Sequence, residues 1–111
     1  MFGFSKNIPS VSAEEVKRAL DTNEEAIFLD VRTDEEYVRG HLAGSLHLPV
    51  GAVLDRAETV LSDKKKTIYV YCLSGSRSTF ATEQLQKLGY ENVFNMTGGL
   101  LSWRAKGYPL I

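Results

Sequence analysis

The chain has 111 residues, 43% of them hydrophobic, 24% charged and 10% aromatic, with a single cysteine. That is one globular domain of ordinary size, which excludes a disordered chain, a disulfide scaffold and a separate cofactor-binding domain. Thirteen basic residues against fourteen acidic ones give a formal net charge of −1, so neither nucleic acid nor a membrane surface is an expected partner.

The opening segment MFGFSKNIPS carries no apolar run of signal-peptide length, and no stretch approaches the ~20 apolar residues of a membrane span. A lone cysteine without an export signal points to a free thiol in a reducing, cytoplasmic compartment. Val11 to Asp21 is expected as a helix. Ser12 can cap it, Glu15 completes a capping box, and Val16, Ala19 and Leu20 form its apolar face. Ala26 to Val31 is a continuous apolar run of strand length, the pattern of a strand buried on both faces. Thr33 and Glu36 form a second capping box, opening a short helix that stops near Gly40. Ser45 to Leu48, just before Pro49, reads as an edge strand, and Gly51 to Leu61 as a helix. After the polar turn Asp63 to Lys66 comes the strongest strand, Thr67 to Tyr71, β-branched and aromatic throughout.

A helix from Ser78 to Leu88 follows, with Phe80, Ala81, Leu85 and Leu88 as its core face and Gly89 as its left-handed C-terminal residue. Asn92 to Met96 is a short strand, and Leu100 to Lys106 a last helix after the Gly98-Gly99 break. Strands alternating with helices predict an α/β fold: a single domain over residues 1–111, core about 9–108, with a mostly parallel central sheet flanked by helices on both faces.

The segment that carries chemistry is Cys72-Leu73-Ser74-Gly75-Ser76-Arg77-Ser78. A buried strand delivers Cys72 to its C-terminal end, where open α/β sheets bind ligands. A short loop folded over a helix N-terminus aims several backbone N–H groups at one point, and the helix end adds partial positive charge. Gly75 permits a positive φ, the three serines can add hydroxyl donors, and Arg77 adds a cation at the mouth. Such surroundings lower a cysteine pKa and make Cys72 a nucleophile. The plain alternative is a small buried core residue, the common fate of a lone cysteine.

This loop resembles the active-site loop of rhodanese-like domains, C-x-x-G-x-R-S. Leu29-Asp30-Val31-Arg32 resembles the family's first-strand motif, and Glu36-Tyr37, Gly40 to Ser45 and Leu48-Pro49 its next one. Gly98-Gly99 followed by Trp103 resembles its C-terminal signature. His47 departs from the asparagine of many members, with little effect expected. The resemblance covers nearly the whole chain and implies a sulfurtransferase. Its loop cysteine takes a sulfane sulfur from a donor, becomes a persulfide and gives that sulfur to cyanide or a thiol, with no metal, nucleotide or organic cofactor. Phosphatases and arsenate reductases of this fold use C-x5-R, whereas four residues separate Cys72 from Arg77 here. A tighter ring of amides suits one sulfur atom better than a tetrahedral oxyanion.

With Arg77 the only charge in the loop, thiosulfate is expected to serve as an assay donor, and a polysulfide or a protein persulfide as the physiological one. The other function class to be weighed is a non-catalytic interaction module or a persulfide carrier acting on a protein partner. A monomer or weak dimer is expected. Asp30 and Arg32 end the first strand near the site, where a mutual structural pair is the favoured reading. His41 reads as a structural hydrogen-bonding residue, since it and His47 make no zinc pattern with Cys72. Trp103 reads as core, with walling of the pocket as its alternative.

Overall fold

A computed structural model of the chain describes residues 8–111. The reading of the first seven residues as lacking an export signal lies outside them. The elements in order are β1 (Ser10–Val11), α1 (Ala13–Asp21), β2 (Ala26–Asp30), α2 (Asp34–Arg39), β3 (Leu46–His47), a 3-10 turn (Val50–Ala52), α3 (Val53–Val60), β4 (Thr67–Tyr71), α4 (Ser76–Lys87), β5 (Asn92–Met96) and α5 (Gly99–Ala105). The five strands form one sheet in the order β1-β5-β4-β2-β3, and every pairing is parallel.

The period-2 alternation of the strands sorts their side chains into two cores. Leu29, Ile68, Val70, Cys72 and Val93 pack with Val53 and Ala57 of α3 and Ala81 and Leu85 of α4. On the other face Phe28, Tyr71 and Met96 pack with Val16 and Ala19 of α1 and Leu100 and Trp103 of α5. The expected α/β architecture with helices on both faces is therefore the observed one. Both capping boxes close as expected: Ser12 with Glu15 at α1, and Thr33 with Glu36 at α2. Each contributes about 1 kcal/mol to its helix start.

Three local expectations are corrected. Val11 belongs to β1, where it pairs with Met96, because the capping residue Ser12 starts the helix after it. The fourth helix starts at Ser76, since Gly75, at φ +109, turns the chain immediately before it. Phe80 lies outside the core and is 54% exposed, because Ser78, Ala81, Thr82 and Leu85 form the buried face of that helix. Starting the helix two residues earlier does not alter its phase. The stripe that faces the sheet contains small polar residues, and that hid it from a search for apolar periodicity.

Among the described residues no helix is long and apolar enough to cross a membrane. The strand order places β2 beside β4 at the centre of the sheet, with their connections leaving toward opposite edges: α2 leads to β3, and α4 leads to β5. A crevice opens at the C-terminal ends of two such strands. The residues after β2 and the loop after β4 meet there.

Candidate active site

Cys72 follows the last residue of β4 and is fully buried. Its Sγ accepts hydrogen bonds from the backbone N–H of Gly75 at 3.1 Å and of Ser78 at 3.4 Å. Gly75, the residue before the first turn of α4, has no side chain with which to cap the helix. The sulfur of Cys72 takes that place and accepts from the third amide of the helix, Ser78. The amides of Ser76 and Arg77 precede the first intrahelical bond of α4, so they too are available to an anion at the helix start.

Burial by itself pushes the Cys72 thiol up. The Ser78 side chain and the N–H groups of Ser78, Gly75 and Ser74 outweigh it, and the thiol is held below its ordinary value. The Ser78 hydroxyl is the pivot. Its Oγ lies 3.4 Å from Cys72 Sγ and 2.5 Å from Asn95 Oδ1, with all three side chains buried. Donating to Asn95, it can accept the S–H of the neutral thiol. If the Asn95 amide presents its NH2 instead, the hydroxyl is free to donate to a thiolate. Asn95 was missed by the sequence reading. It stands in mid-strand on β5, distant in sequence from the loop, and only the β4–β5 pairing brings it beside Ser78.

Arg77, expected as a cation at the mouth of the loop, is held there by an acidic partner. Its guanidinium forms a two-pronged pair with Glu36, 2.7 Å from Nη1 to Oε1 and 3.0 Å from Nη2 to Oε2. Glu36 is the same residue that closes the capping box of α2 with Thr33. The bonded arginine, opposed by partial burial and helped by Thr33, holds the Glu36 carboxyl down to about 2. A carboxylate with a lowered pKa stabilises the fold above its ordinary value of 4.5, and this contribution is lost as the pH falls toward 2. Glu36→Gln is therefore expected to be less stable than the parent near neutral pH, with the difference shrinking between pH 4.5 and pH 2. Urea unfolding of both proteins across that range measures it, and a difference that stays constant with pH contradicts the pair.

The remaining predicted residues divide. Asp30 and Arg32 are buried and bonded to each other, Arg32 Nη2 to Asp30 Oδ2 at 2.7 Å, and Nη2 also donates to the carbonyl of Gly40 at 2.6 Å. These bonds tie the end of β2 to the end of α2. His41 stacks on Tyr37 at 3.8 Å between ring centroids, with its Nδ1 2.8 Å from the Tyr37 carbonyl. His47 stacks on the same ring at 4.4 Å and meets the carbonyl of Arg32 through Nε2 at 2.7 Å. Trp103 is fully buried in the α1–α5 core, and its Nε1 donates to the carbonyl of Pro109 at 3.0 Å. The structure thus brings Cys72, Gly75, Arg77 and Ser78 together and sets Asp30, Arg32, His41 and Trp103 in the surrounding framework.

Gly98 and Gly99 close the back of the loop. The N–H groups of Leu100 and Leu101 donate to the carbonyls of Cys72 and Leu73, both at 3.0 Å. Gly99 lies so close to that backbone that any side chain there would overlap it.

Comparison with known proteins adds four findings. The family model described as Rhodanese-like domain matches residues 12–106. The chain is 36% identical to the putative sulfur carrier protein YrkF of Bacillus subtilis over 92% of its own length, and spans about half (54%) of that protein. It is 29% identical to a sulfurtransferase of Allochromatium vinosum, covering 94% of this chain and 95% of the other. Among solved structures, the rhodanese-like domain of an Anabaena sp. protein superposes with a TM-score of 0.85 at 33% identity, covering 95% of this chain and 80% of that one.

Proposed function

The chain belongs to the rhodanese-like domain family, and on that premise we propose that it transfers sulfane sulfur through a persulfide on Cys72. The observation that carries the proposal is the Cys72 sulfur at the start of α4, accepting from the Gly75 and Ser78 amides. With thiosulfate as donor, the Cys72 thiolate attacks the outer sulfur. A bond forms between Cys72 Sγ and that sulfur as the old S–S bond breaks, and sulfite leaves with its electron pair. The product is Cys72–S–S⁻, whose terminal sulfur is the anion that the loop amides and the helix end stabilise. Cyanide or a thiolate then attacks the terminal sulfur, forming thiocyanate or a new persulfide, and Cys72 leaves as thiolate. Charge balances in both steps without an oxidant, a metal or an organic cofactor.

Leu73, Ser74, Gly75, Ser76, Arg77 and Ser78 bind the sulfur in this account. Asp30, Arg32, His41 and Trp103 keep the loop and its neighbours in place. The C-x4-R spacing supports sulfur over phosphate chemistry, because a loop one residue shorter than C-x5-R makes a tighter ring of amides, suited to one sulfur atom rather than a tetrahedral oxyanion. A persulfide carrier handing its sulfur to a protein acceptor is a second reading, favoured by the sulfur-carrier name of the Bacillus subtilis relative. Both readings share the Cys72 persulfide. Conversion of thiosulfate and cyanide to thiocyanate is expected to disappear in Cys72→Ser. Hydrolysis of p-nitrophenyl phosphate is expected to be no faster in the parent than in that variant. Phosphate hydrolysis without sulfur transfer overturns the proposal.

A further inference from the structure

Two permanent charges meet at the mouth of the Cys72 loop and cancel. Glu36 takes both terminal nitrogens of Arg77, at 2.7 and 3.0 Å, and its Oε1 also accepts from the backbone N–H of Thr33 at 3.0 Å. Bonding to Arg77 holds the Glu36 carboxyl down to about 2, so it is negative at any pH where a thiolate reacts. The same bonds push the Arg77 guanidinium up, so it stays positive. Cys72 and Asp30 lie within electrostatic reach of Arg77. Asp30 is itself cancelled by Arg32, 2.7 Å away. Asp34 and Glu35 add further negative charge in the same first turn of α2 as Glu36. Arg77 is the only cation between Cys72 and Ser78. The loop amides and the start of α4 therefore stabilise one charge at the sulfur, while the side chains at the mouth offer no net positive charge to a second.

We propose that Glu36 sets the charge selectivity of Cys72: by cancelling Arg77 it holds back doubly charged molecules and leaves neutral and singly charged ones unhindered. The consequence, that the dianion thiosulfate is a handicapped donor for this chain, rests on the sulfur-transfer reading above. Glu36 acts through its own charge and through the place it gives Arg77, as a positioning residue. The energy of an ion in a fixed potential is proportional to its charge. Removing one negative charge from the mouth thus favours a dianion by the square of the factor by which it favours a monoanion. A role in shape alone has no such dependence on charge. Gln at position 36 keeps the side-chain volume and an acceptor for Thr33, so the capping box of α2 survives the change.

The experiment measures alkylation of Cys72 on the whole chain by iodoacetate, which carries one negative charge, and by iodoacetamide, which carries none. Their rate ratio cancels the thiolate fraction and reads the potential at the sulfur. Thiosulfate loading, as kcat/KM divided by the iodoacetamide rate, reads the same potential with a doubly charged donor. In Glu36→Gln at low ionic strength the iodoacetate ratio is expected to rise about threefold and the thiosulfate value about tenfold. At about 1 M salt, where the screening length is about 3 Å, both gains are expected to shrink below about twofold. Arg77→Gln is expected to lower the iodoacetate ratio about threefold, the opposite direction. The double variant Glu36→Gln with Arg77→Gln carries the net charge of the parent, and its ratio is expected to return to within about twofold of the parent's. A pair that only held the loop in shape would leave the double variant the most disturbed of the three. An iodoacetate ratio unchanged in Glu36→Gln, a gain that persists at high salt, or a double variant displaced by more than about twofold overturns the proposal. Should Glu36→Gln fail to fold, Arg77→Gln reads the balance by itself, and a ratio there equal to the parent's overturns the proposal equally. Alkylation ratios that move as expected in a chain that takes no sulfur from thiosulfate overturn the sulfur-transfer reading and leave the charge selectivity of Cys72 standing.

Discussion

Gly99→Ala is expected to lower the stability of the fold by about 2–5 kcal/mol. Two costs add. Gly99 sits at φ +55, a left-handed conformation that costs an L-residue with a side chain about 1–2 kcal/mol. A Cβ there would also lie 2.5 Å from the carbonyl oxygens of both Cys72 and Leu73 and 2.6 Å from the Leu73 carbonyl carbon. These are backbone atoms of the active-site loop, which cannot swing aside as a flexible side chain can, and such overpacking costs about 1–3 kcal/mol. The same carbonyls accept from Leu100 and Leu101, so relieving the overlap also breaks the bonds that dock α5 on the loop. Gly98→Ala is the comparison. Its Cβ would meet Ser102 Oγ, the mobile end of a side chain, and its loss is expected to be nearer the conformational cost alone. Urea unfolding ranks the two. A Gly99→Ala midpoint equal to that of the parent would show that the contact does not hold the loop.

Ser78→Ala is expected to move the pH profile of Cys72 alkylation upward by about one to two pK units, because a hydrogen bond to a charged group is worth about 1.5–3 kcal/mol. The sign follows from the balance at the sulfur. Burial raises the thiol, and donors led by Ser78 lower it below its ordinary value. Removing the hydroxyl leaves the burial and the amides of Ser74, Gly75 and Ser78, so less thiolate is present at any pH below the new pKa. At a pH well below the pKa of the parent thiol, the alkylation rate is expected to fall roughly 10–100-fold. Asn95→Asp keeps the side-chain volume and so tests polarity against packing. A carboxylate beside Ser78 holds the hydroxyl on itself and away from sulfur and adds a like charge near the thiolate, and both effects are expected to move the profile up. Iodoacetamide kinetics against pH measure both variants. Profiles superimposable on the parent would remove Ser78 and Asn95 from control of the thiol.

Most of the fold could be read in the order of the residues because its signals are local. Thr67–Tyr71 and Asn92–Met96 are strands over the predicted spans, and both capping boxes close with their predicted partners. The misreadings arose where tertiary contacts decide. The two-residue β1 has no pattern of its own and exists because β5 offers it an edge. Phe80 looked like core by hydrophobicity, yet the face of α4 toward the sheet is given to Ser78 and Thr82, one of which serves the thiol. The loop was legible because strand, cysteine, glycine and helix are contiguous. Asn95 and the tying of Arg77 to Glu36 were not, since they join residues 17 and 41 positions apart. No spacing rule within one segment reaches across such distances. The functional role of Gly98-Gly99 was visible only as a motif; the approach of Gly99 to the Cys72 and Leu73 carbonyls supplies its physical reason.

The central claim is that Cys72 carries the sulfur, and intact-protein mass spectrometry tests it most directly. After exposure to thiosulfate or polysulfide, the account predicts a gain of one sulfur atom that maps to Cys72, is removed by cyanide or a thiol, and is absent from Cys72→Ser. A chain that takes up no sulfur from either donor, or takes it up equally in Cys72→Ser, would contradict the account.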